Sequence, residues 1–370
     1  MTPFRSAIQQ EPARGFYFDM SQFAALDGLD LMRAFVDGRA LPPAISYLYG
    51  NQMTSVEPDS VTFTMPASGW LLCPQGVISG ATLALLADGP LGCTISTRLP
   101  PATPYTTAEM SLTYIRPAQV ANGVLTGTGR LIHVGRTLAL SEVAITGPGG
   151  ELLAMAYTRC VVQPRVDFPA DMVEAGRAGG SPPVEPEWPT PHPWQRPVQG
   201  EVLPPETWRD RSGLDVLAAQ ARGELPAPPI SHLLGVTPTE VAEGRTTWVM
   251  PATEWMCSPV PGRLYGGVTA YLAGTAIDGA FLTTAPAGTA FAPVDLKVYF
   301  LRPVEPDGRD LTATSQVVHR GRTMVIGTSE VRNADGKPVA TATASAVYLP
   351  GRSWASVRGE LDEAGAAAEA

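Results

Sequence analysis

The chain has 370 residues, of which 44% are hydrophobic, so it carries enough apolar material for a large buried core and a length that suits two domains or so. Its 26 basic and 35 acidic residues give a formal net charge of -9 with no long basic run, which argues against nucleic acid or an anionic membrane surface as the main partner. The four cysteines (Cys73, Cys93, Cys160, Cys257) are widely spaced with no CxxC pair, so neither a disulfide framework nor a zinc site is expected and a reducing compartment fits.

The N-terminus, MTPFRSAIQQEPARGFYF, lacks the uninterrupted apolar core of a signal peptide, and no run of about 18 apolar residues occurs. A cytoplasmic protein is expected. The first periodic segment is a short amphipathic helix presenting Leu29, Leu31, Met32 and Phe35, followed by LPPAISYLYG ending at Gly50. A hairpin comes next, with VTFTMP as its second strand. Then a Gly-punctuated loop, CPQGVISG, leads into an apolar helix over roughly 79 to 96 that carries Asp88 among Leu83, Leu85, Leu86 and Ala87. Asp is a poor helix former and mostly exposed, so Asp88 is either a buried acid held for chemistry or the polar edge of the helix. Four strand-like runs follow, AEMSLTYIR, VLTGTGRLIHV, TLALSEVAI and LLAMAYTRCVV, with turn residues between them.

Residues 164 to 208 are dense in proline and lack a period, which reads as a partly extended linker draped over a domain through Trp188 and Trp194. After it the pattern starts again. GLD at 28 to 30 recurs at 213 to 215, and Gly50, Pro66, Trp70 and Pro74 recur as Gly235, Pro251, Trp255 and Pro259, an offset of 185 (213 minus 28). A one-residue insertion makes it 186: IRP at 115 to 117 matches LRP at 301 to 303, and HVGRT at 133 to 137 matches HRGRT at 319 to 323. The second copy has the helix of Leu214, Val216 and Leu217, the strand TTWVMP, a long helix over roughly 265 to 282 and the strands VDLKVYFLR, LTATSQVVH, TMVIGTSEVR and PVATATASAVYL. The expected layout is an extension over 1–24, a domain over 25–163, the linker over 164–208, a second domain over 209–350 and an Ala/Glu-rich tail over 351–370, frayed from Gly359. One apolar helix beside a run of antiparallel strands implies an α+β fold, a sheet curled round the helix.

These residues resemble the hotdog-fold acyl-CoA thioesterases, specifically the phenylacetate-pathway (PaaI-like) type. The resemblance rests on CPQGVISGA, TLALLAD, TAEMSLTYIRP and HVGR in copy one and on SPVPGRLYGG, VTAYLAG, PVDLKVYFLRP and HRGR in copy two. It covers about 25 to 162 and 210 to 349. It implies a tandem (double) hotdog packed as an internal pseudo-dimer, with sheets continuous or back to back and a further pairing of chains left open. It also implies hydrolysis of an acyl-CoA thioester, with coenzyme A arriving as part of the substrate and no separate cofactor or metal. In this family the glycine loop of one unit faces the helix acid of its partner, and here the partner is the other copy.

One composite site then joins Asp88 and Thr107 to Ser258, Tyr265, Gly266 and Gly267. The reciprocal site joins Gly274 and Pro293 to Cys73, Ser79, Gly80 and Ala81, lacks both acid and threonine, and is expected to be catalytically dead. Both lack the family's His and Asn, with Tyr265 and Ser258 standing in. The chemistry needs backbone N–H groups at a helix entrance as an oxyanion hole, with Gly so that the acyl group can approach. It also needs a carboxylate in a dry pocket, acting as base or nucleophile. Asp88 is expected to be that carboxylate, Gly266 with Gly267 the oxyanion hole and Thr107 the holder of water. Tyr265 either hydrogen-bonds the thioester oxygen or walls the pocket, and Ser258 is a polar loop residue or a ligand contact. Arg136 and Arg322, at matching hairpins, and Arg116 and Arg302, at strand ends, are solvated charges or partners of coenzyme A phosphates. Asp278, one turn beyond Gly274, is expected to cap or face solvent rather than serve as a displaced acid. His133 and His319 read as strand-end residues, and Cys73 faces the dead site. An acyl-CoA or acyl-carrier binding module without turnover and a hotdog hydratase are the two alternative functions.

Overall fold

The computed structural model describes residues 4–179, 183–349 and 351–358, except the side chains of 355 and 356. The tail from Gly359, expected to fray, lies outside the described residues. Copy one supplies β1 (Gln52–Glu57), β2 (Ser60–Pro66), β3 (Tyr105–Tyr114), β4 (Val124–Val134), β5 (Leu138–Thr146) and β6 (Leu152–Val162). Copy two supplies β7 (Thr237–Ala242), β8 (Arg245–Pro251), β9 (Ala290–Phe300), β10 (Asp310–Arg320), β11 (Met324–Arg332) and β12 (Pro338–Leu349).

All twelve join one sheet in the order β1-β2-β4-β5-β6-β3-β9-β12-β11-β10-β8-β7. Of the two arrangements the sequence left open, the continuous sheet is the one observed. The join is the antiparallel β3–β9 pair, running from Glu109 opposite Tyr299 to Thr113 opposite Asp295. At this join Glu109 is almost fully buried, with Arg159 and Lys297 each 3.4 Å from its carboxylate, so the charge enters the sheet already paired from both copies.

Alternation along the strands sets one face against a central helix in each copy, Leu83–Ser96 and Gly266–Thr284. Both helices are apolar on nearly every side, as befits helices enclosed between sheet and partner. They also pack on each other, which brings the entrance of the second against the middle of the first. Gly50 and Gly235 close the short helices before each hairpin in left-handed conformation, φ +80° and +73°, with a proline ring (Pro66, Pro251) against each. No side chain fits there.

The segment read as an aperiodic linker contains a helix, Ala170–Ala178, whose Gly176 packs on the backbone of Ser21. Trp188 and Trp194 do reach repeat one, against Tyr47 and Gly50 respectively. Beyond this, the 185-residue correspondence extends outside the motifs. Phe16 N–H bonds Pro42 O as Glu201 N–H bonds Ala227 O, and Phe18 N–H bonds Pro259 O as Leu203 N–H bonds Pro74 O. The two straps are exchanged. Buried Trp255 of repeat two donates its indole N–H to Glu11 O, while buried Trp70 of repeat one donates to Arg196 O, each at 3.0 Å. Glu11 and Arg196, themselves 185 apart, form an ion pair where the straps meet.

Candidate active site

The glycine loop and the helix acid meet across the repeats. The entrance of Gly266–Thr284 abuts the first central helix so closely that a Cβ on Gly266 would lie 3.1 Å from both Asp88 carboxylate oxygens. The Gly267 N–H donates to Asp88 Oδ2 at 3.0 Å, a contact between residues 179 apart in sequence. Asp88 and Gly266 are both half-buried, in contrast to the sealed core around them. Burial pushes the Asp88 carboxyl up to about 6, against the lowering effect of the Gly267 and Gly266 N–H groups. A carboxylate facing the positive end of a 19-residue helix is held there by charge and dipole together.

Around this pair stand Tyr265, from the glycine loop, and groups that the motifs did not include. The Tyr265 side chain is buried and crosses to repeat one, where its hydroxyl lies 2.8 Å from the position of a Cβ on Gly89, beside the Phe63 ring. Asn51 Nδ2 donates to the Tyr265 hydroxyl at 3.3 Å and to Leu85 O at 3.2 Å, and the Tyr49 hydroxyl also donates to Leu85 O. The site lacks the family's asparagine at the loop, yet a buried amide reaches it from Asn51. The signal was present in sequence as an asymmetry: YLYGN in copy one against HLLGV in copy two.

Of the other expected residues, Thr107 is half-buried on β3 and its hydroxyl accepts from Cys160 Sγ at 3.8 Å. No hydrogen bond joins Thr107 to Asp88. Ser258 is occupied by its own loop: its hydroxyl donates to Arg263 O and accepts from Val260 N–H. Arg136 and Arg322 are exposed at their hairpins. Among the described residues no group of three or more His, Cys, Asp or Glu is placed to hold a metal ion.

The reciprocal position is different. Gly274 stands where Asp88 stands, and Ala81 fills the space in front of it, 2.8 Å from where a Cβ would be. One turn on, a cavity of about 930 Å³ opens between the loop Cys73–Gly80 and the second central helix. Asp278 lines that cavity rather than capping the helix or facing solvent, because it lies four residues past Gly274 on the same helical face. Burial pushes its carboxyl up to about 7. Cys73 also lines the cavity, and burial pushes its thiol up to about 11, the wrong direction for a nucleophile.

This geometry can be set beside known proteins. Residues 75–154 match the Thioesterase superfamily, and residues 253–347 match the Acyl-CoA thioesterase N-terminal domain. The tesB protein of Mycobacterium avium subsp. paratuberculosis aligns over 83% of this chain and 98% of its own, at 14% identity and a TM-score of 0.50. The chain is a double hotdog. Both repeats thus carry thioesterase domain matches, as the resemblance implied, and the fold is the tandem one. An acyl-CoA thioesterase II from Mycobacterium marinum is similar over 83% of this chain and 97% of its own, with 12% identity and a TM-score of 0.47. The PaaI protein of Escherichia coli covers 37% of this double hotdog and 96% of its own length, with 26% identity and a TM-score of 0.33. No curated protein gives a significant match. No described helix is long and apolar enough to cross a membrane.

Proposed function

We propose that this double hotdog hydrolyses an acyl-CoA thioester at the Asp88 site, in the manner of the phenylacetate-pathway type. The observation that carries the reading is the Asp88 carboxylate of one repeat, 3.0 Å from the Gly267 N–H at the helix entrance of the other. The thioester carbonyl takes the place of the carboxylate at the Gly266 and Gly267 N–H groups, where the helix dipole stabilises the oxyanion that forms. Asp88, displaced from them, accepts a proton from water as the water attacks the carbonyl carbon. The tetrahedral intermediate collapses, the C–S bond breaks, and the thiolate takes up a proton. A carboxyl near 6 is ionised above neutrality and still basic enough for this transfer. In direct nucleophilic attack the carboxylate forms a mixed anhydride that water then opens. Thr107 holds the water, Tyr265 with Asn51 walls the acyl end, and Arg136 or Arg322 pairs with coenzyme A phosphates. Ser258 serves the loop.

Thiol release from a panel of short, long and aromatic acyl-CoAs tests this directly. Asp88→Asn is expected to lose at least about a hundredfold in kcat; unchanged turnover overturns the assignment. A second reading has its own support, since Asp88 occupies the N–H that a substrate carbonyl requires. A site locked in that way binds acyl-CoA or an acyl carrier without turnover, and tight binding with no thiol release by the parent protein would show it.

A further inference from the structure

The pocket around Asp88 is filled by side chains from both repeats, and its pseudo-symmetric counterpart is not. Where Tyr265, Asn51 and Cys93 crowd the first, the equivalent residues are Ser79, Val236 and Gly279, and the space left is part of a cavity of about 930 Å³. That is at the upper end of the volume of small-molecule sites. Its walls are mostly apolar, but three substitutions between the copies add polar atoms to it: Trp248 for Phe63, Thr275 for Gly89 and Asp278 for Gly92.

Several polar groups here lack partners. The Trp248 indole N–H and the Thr237 hydroxyl have no hydrogen bond although their side chains are only 6% and 8% exposed, and the buried Tyr114 hydroxyl has none either. All three residues line the cavity. All three of these polar atoms are sealed from the cavity space, and the Trp248 indole nitrogen lies 2.8 Å from the position of a Cβ on Gly279, so they do not meet an occupant. The polar group open to an occupant is the carboxyl of half-buried Asp278, which has no hydrogen-bond or ion-pair partner among the described residues. Protonated, it donates to an acceptor oxygen. The rest of the occupant is bulky and apolar. Exposed Arg116 and Arg352 also line the cavity, which puts cations at its opening for an anionic end group.

We propose that this cavity is a second, separate acyl-binding site, which takes a bulky apolar carboxylic acid or its coenzyme A thioester with the carbonyl oxygen on the Asp278 carboxyl. It binds and does not hydrolyse, since the acid position facing the Gly80 loop is Gly274, closed by Ala81. A carboxyl at Asp278 pushed up to about 7 is compatible with a carbonyl or carboxylate nearby, because its protonated form donates a hydrogen bond. The proposal is independent of whether Asp88 catalyses.

The test is calorimetric titration of the Asp88→Asn protein with decanoate, cholate, decanoyl-CoA and coenzyme A alone. Binding of at least one acyl ligand at one site per chain is expected, with no such site for coenzyme A alone. Asp278→Leu removes the carboxyl that the carbonyl oxygen meets and should weaken that binding by about tenfold or more. Ser79→Tyr introduces the residue that fills the other pocket and should abolish it. Binding by the free acids identifies the acid as ligand; binding by decanoyl-CoA only identifies the thioester. Failure of every acyl ligand to bind overturns the proposal, as does unchanged affinity in Asp278→Leu. If Ser79→Tyr does not fold, Asp278→Leu decides alone.

Discussion

Two pockets related by an internal twofold occupy the same place in the same fold, and they have little else in common. At the first, an acid meets the N–H groups of a helix entrance and a tyrosine from the other repeat fills the space behind it. At the second, the acid position is glycine, the tyrosine position is serine, and an acid one turn on looks into open volume. The lesson is that a duplicated site diverges mainly through the side chains that fill it. The backbone differs at the entrance, where the second helix starts at Gly266 while its counterpart Gly80 opens a 3-10 turn, Gly80–Thr82, that passes into the first helix at Leu83.

The strongest way to break this comparison is to remove each acid in turn. Asp88→Asn should cost at least about a hundredfold in kcat, and Asp278→Asn less than about threefold, because only Asp88 faces the helix-entrance N–H groups. The pH profile sharpens the result. With the Asp88 carboxyl near 6, kcat/KM for the parent should rise with pH through about 6 and level off above it, as the base loses its proton. Loss of activity in Asp278→Asn with Asp88→Asn silent would exchange the roles of the two pockets.

Next in size are the glycines. A Cβ on Gly266 would press on the Asp88 carboxylate at 3.1 Å, in the space a thioester must enter, so Gly266→Ala should lower kcat/KM by about tenfold or more while the fold persists. Gly274→Ala instead meets Ala81 and the Leu296 side chain at 2.8 and 3.0 Å. It should leave turnover within about twofold and cost about 1–3 kcal/mol of stability, the usual penalty of overpacking a core. Chemical denaturation of both variants, alongside turnover, separates the two effects.

Much of this was legible in the sequence. The offset of 185 and then 186 located both central helices and both glycine loops, and the family resemblance implied the facing of Asp88 with Gly266 and Gly267 by pairing each loop with the other copy's helix. The open cavity was not legible, because motif positions do not record which neighbours fill a pocket. It depends on Ser79 against Tyr265, Val236 against Asn51 and Gly279 against Cys93, of which only Ser79 and Tyr265 belong to the motifs that carried the argument. Asp278 was visible one turn beyond Gly274 but was expected to cap or face solvent, whereas a helix presents the residue four positions on to the same side and so turns it into the cavity. The exchanged straps were hidden more deeply. Their equivalence is in backbone hydrogen bonds such as Phe16 to Pro42 and Glu201 to Ala227, and the sequence trace of it is short, QEPARG at 10 to 15 against QRPVQG at 195 to 200.

The acids also differ in what they cost the fold. For both, the folded carboxyl is raised above its ordinary value, to about 6 for Asp88 and about 7 for Asp278. The unfolded chain therefore loses these protons at lower pH than the folded one, so stability falls as pH rises from about 4 through the folded value and stays low above it. Replacing the acid by Asn removes that loss. Near pH 8, Asp278→Asn should be more stable than the parent by ~2–4 kcal/mol and Asp88→Asn by ~1–3 kcal/mol, with both gains gone near pH 4. Urea titrations at the two pH values check the order, and a gain larger for Asp88→Asn would mean that Asp278 has better solvent access than Asp88.

The smallest effect concerns what the two halves still share. Trp70 and Trp255 are equally buried and each gives its indole N–H to the strap of the other repeat at 3.0 Å. Replacing either by Phe removes one buried hydrogen bond and leaves a strap carbonyl unpaired, at a cost of ~1–2 kcal/mol. The two losses should agree within about 0.5 kcal/mol, since the sites are equivalent in burial and geometry, while the double variant should depart from their sum because the acceptor residues Glu11 and Arg196 are themselves paired. Cutting the ion pair where the straps meet, with Glu11→Gln, should cost less, ~0–1 kcal/mol, because the glutamate side chain is 38% exposed. Equal costs at Trp70 and Trp255 would show a scaffold that has stayed symmetric while its two pockets diverged. Unequal costs would mean that the divergence reaches the straps, with the weaker strap lying over the repeat whose side chains have changed the more.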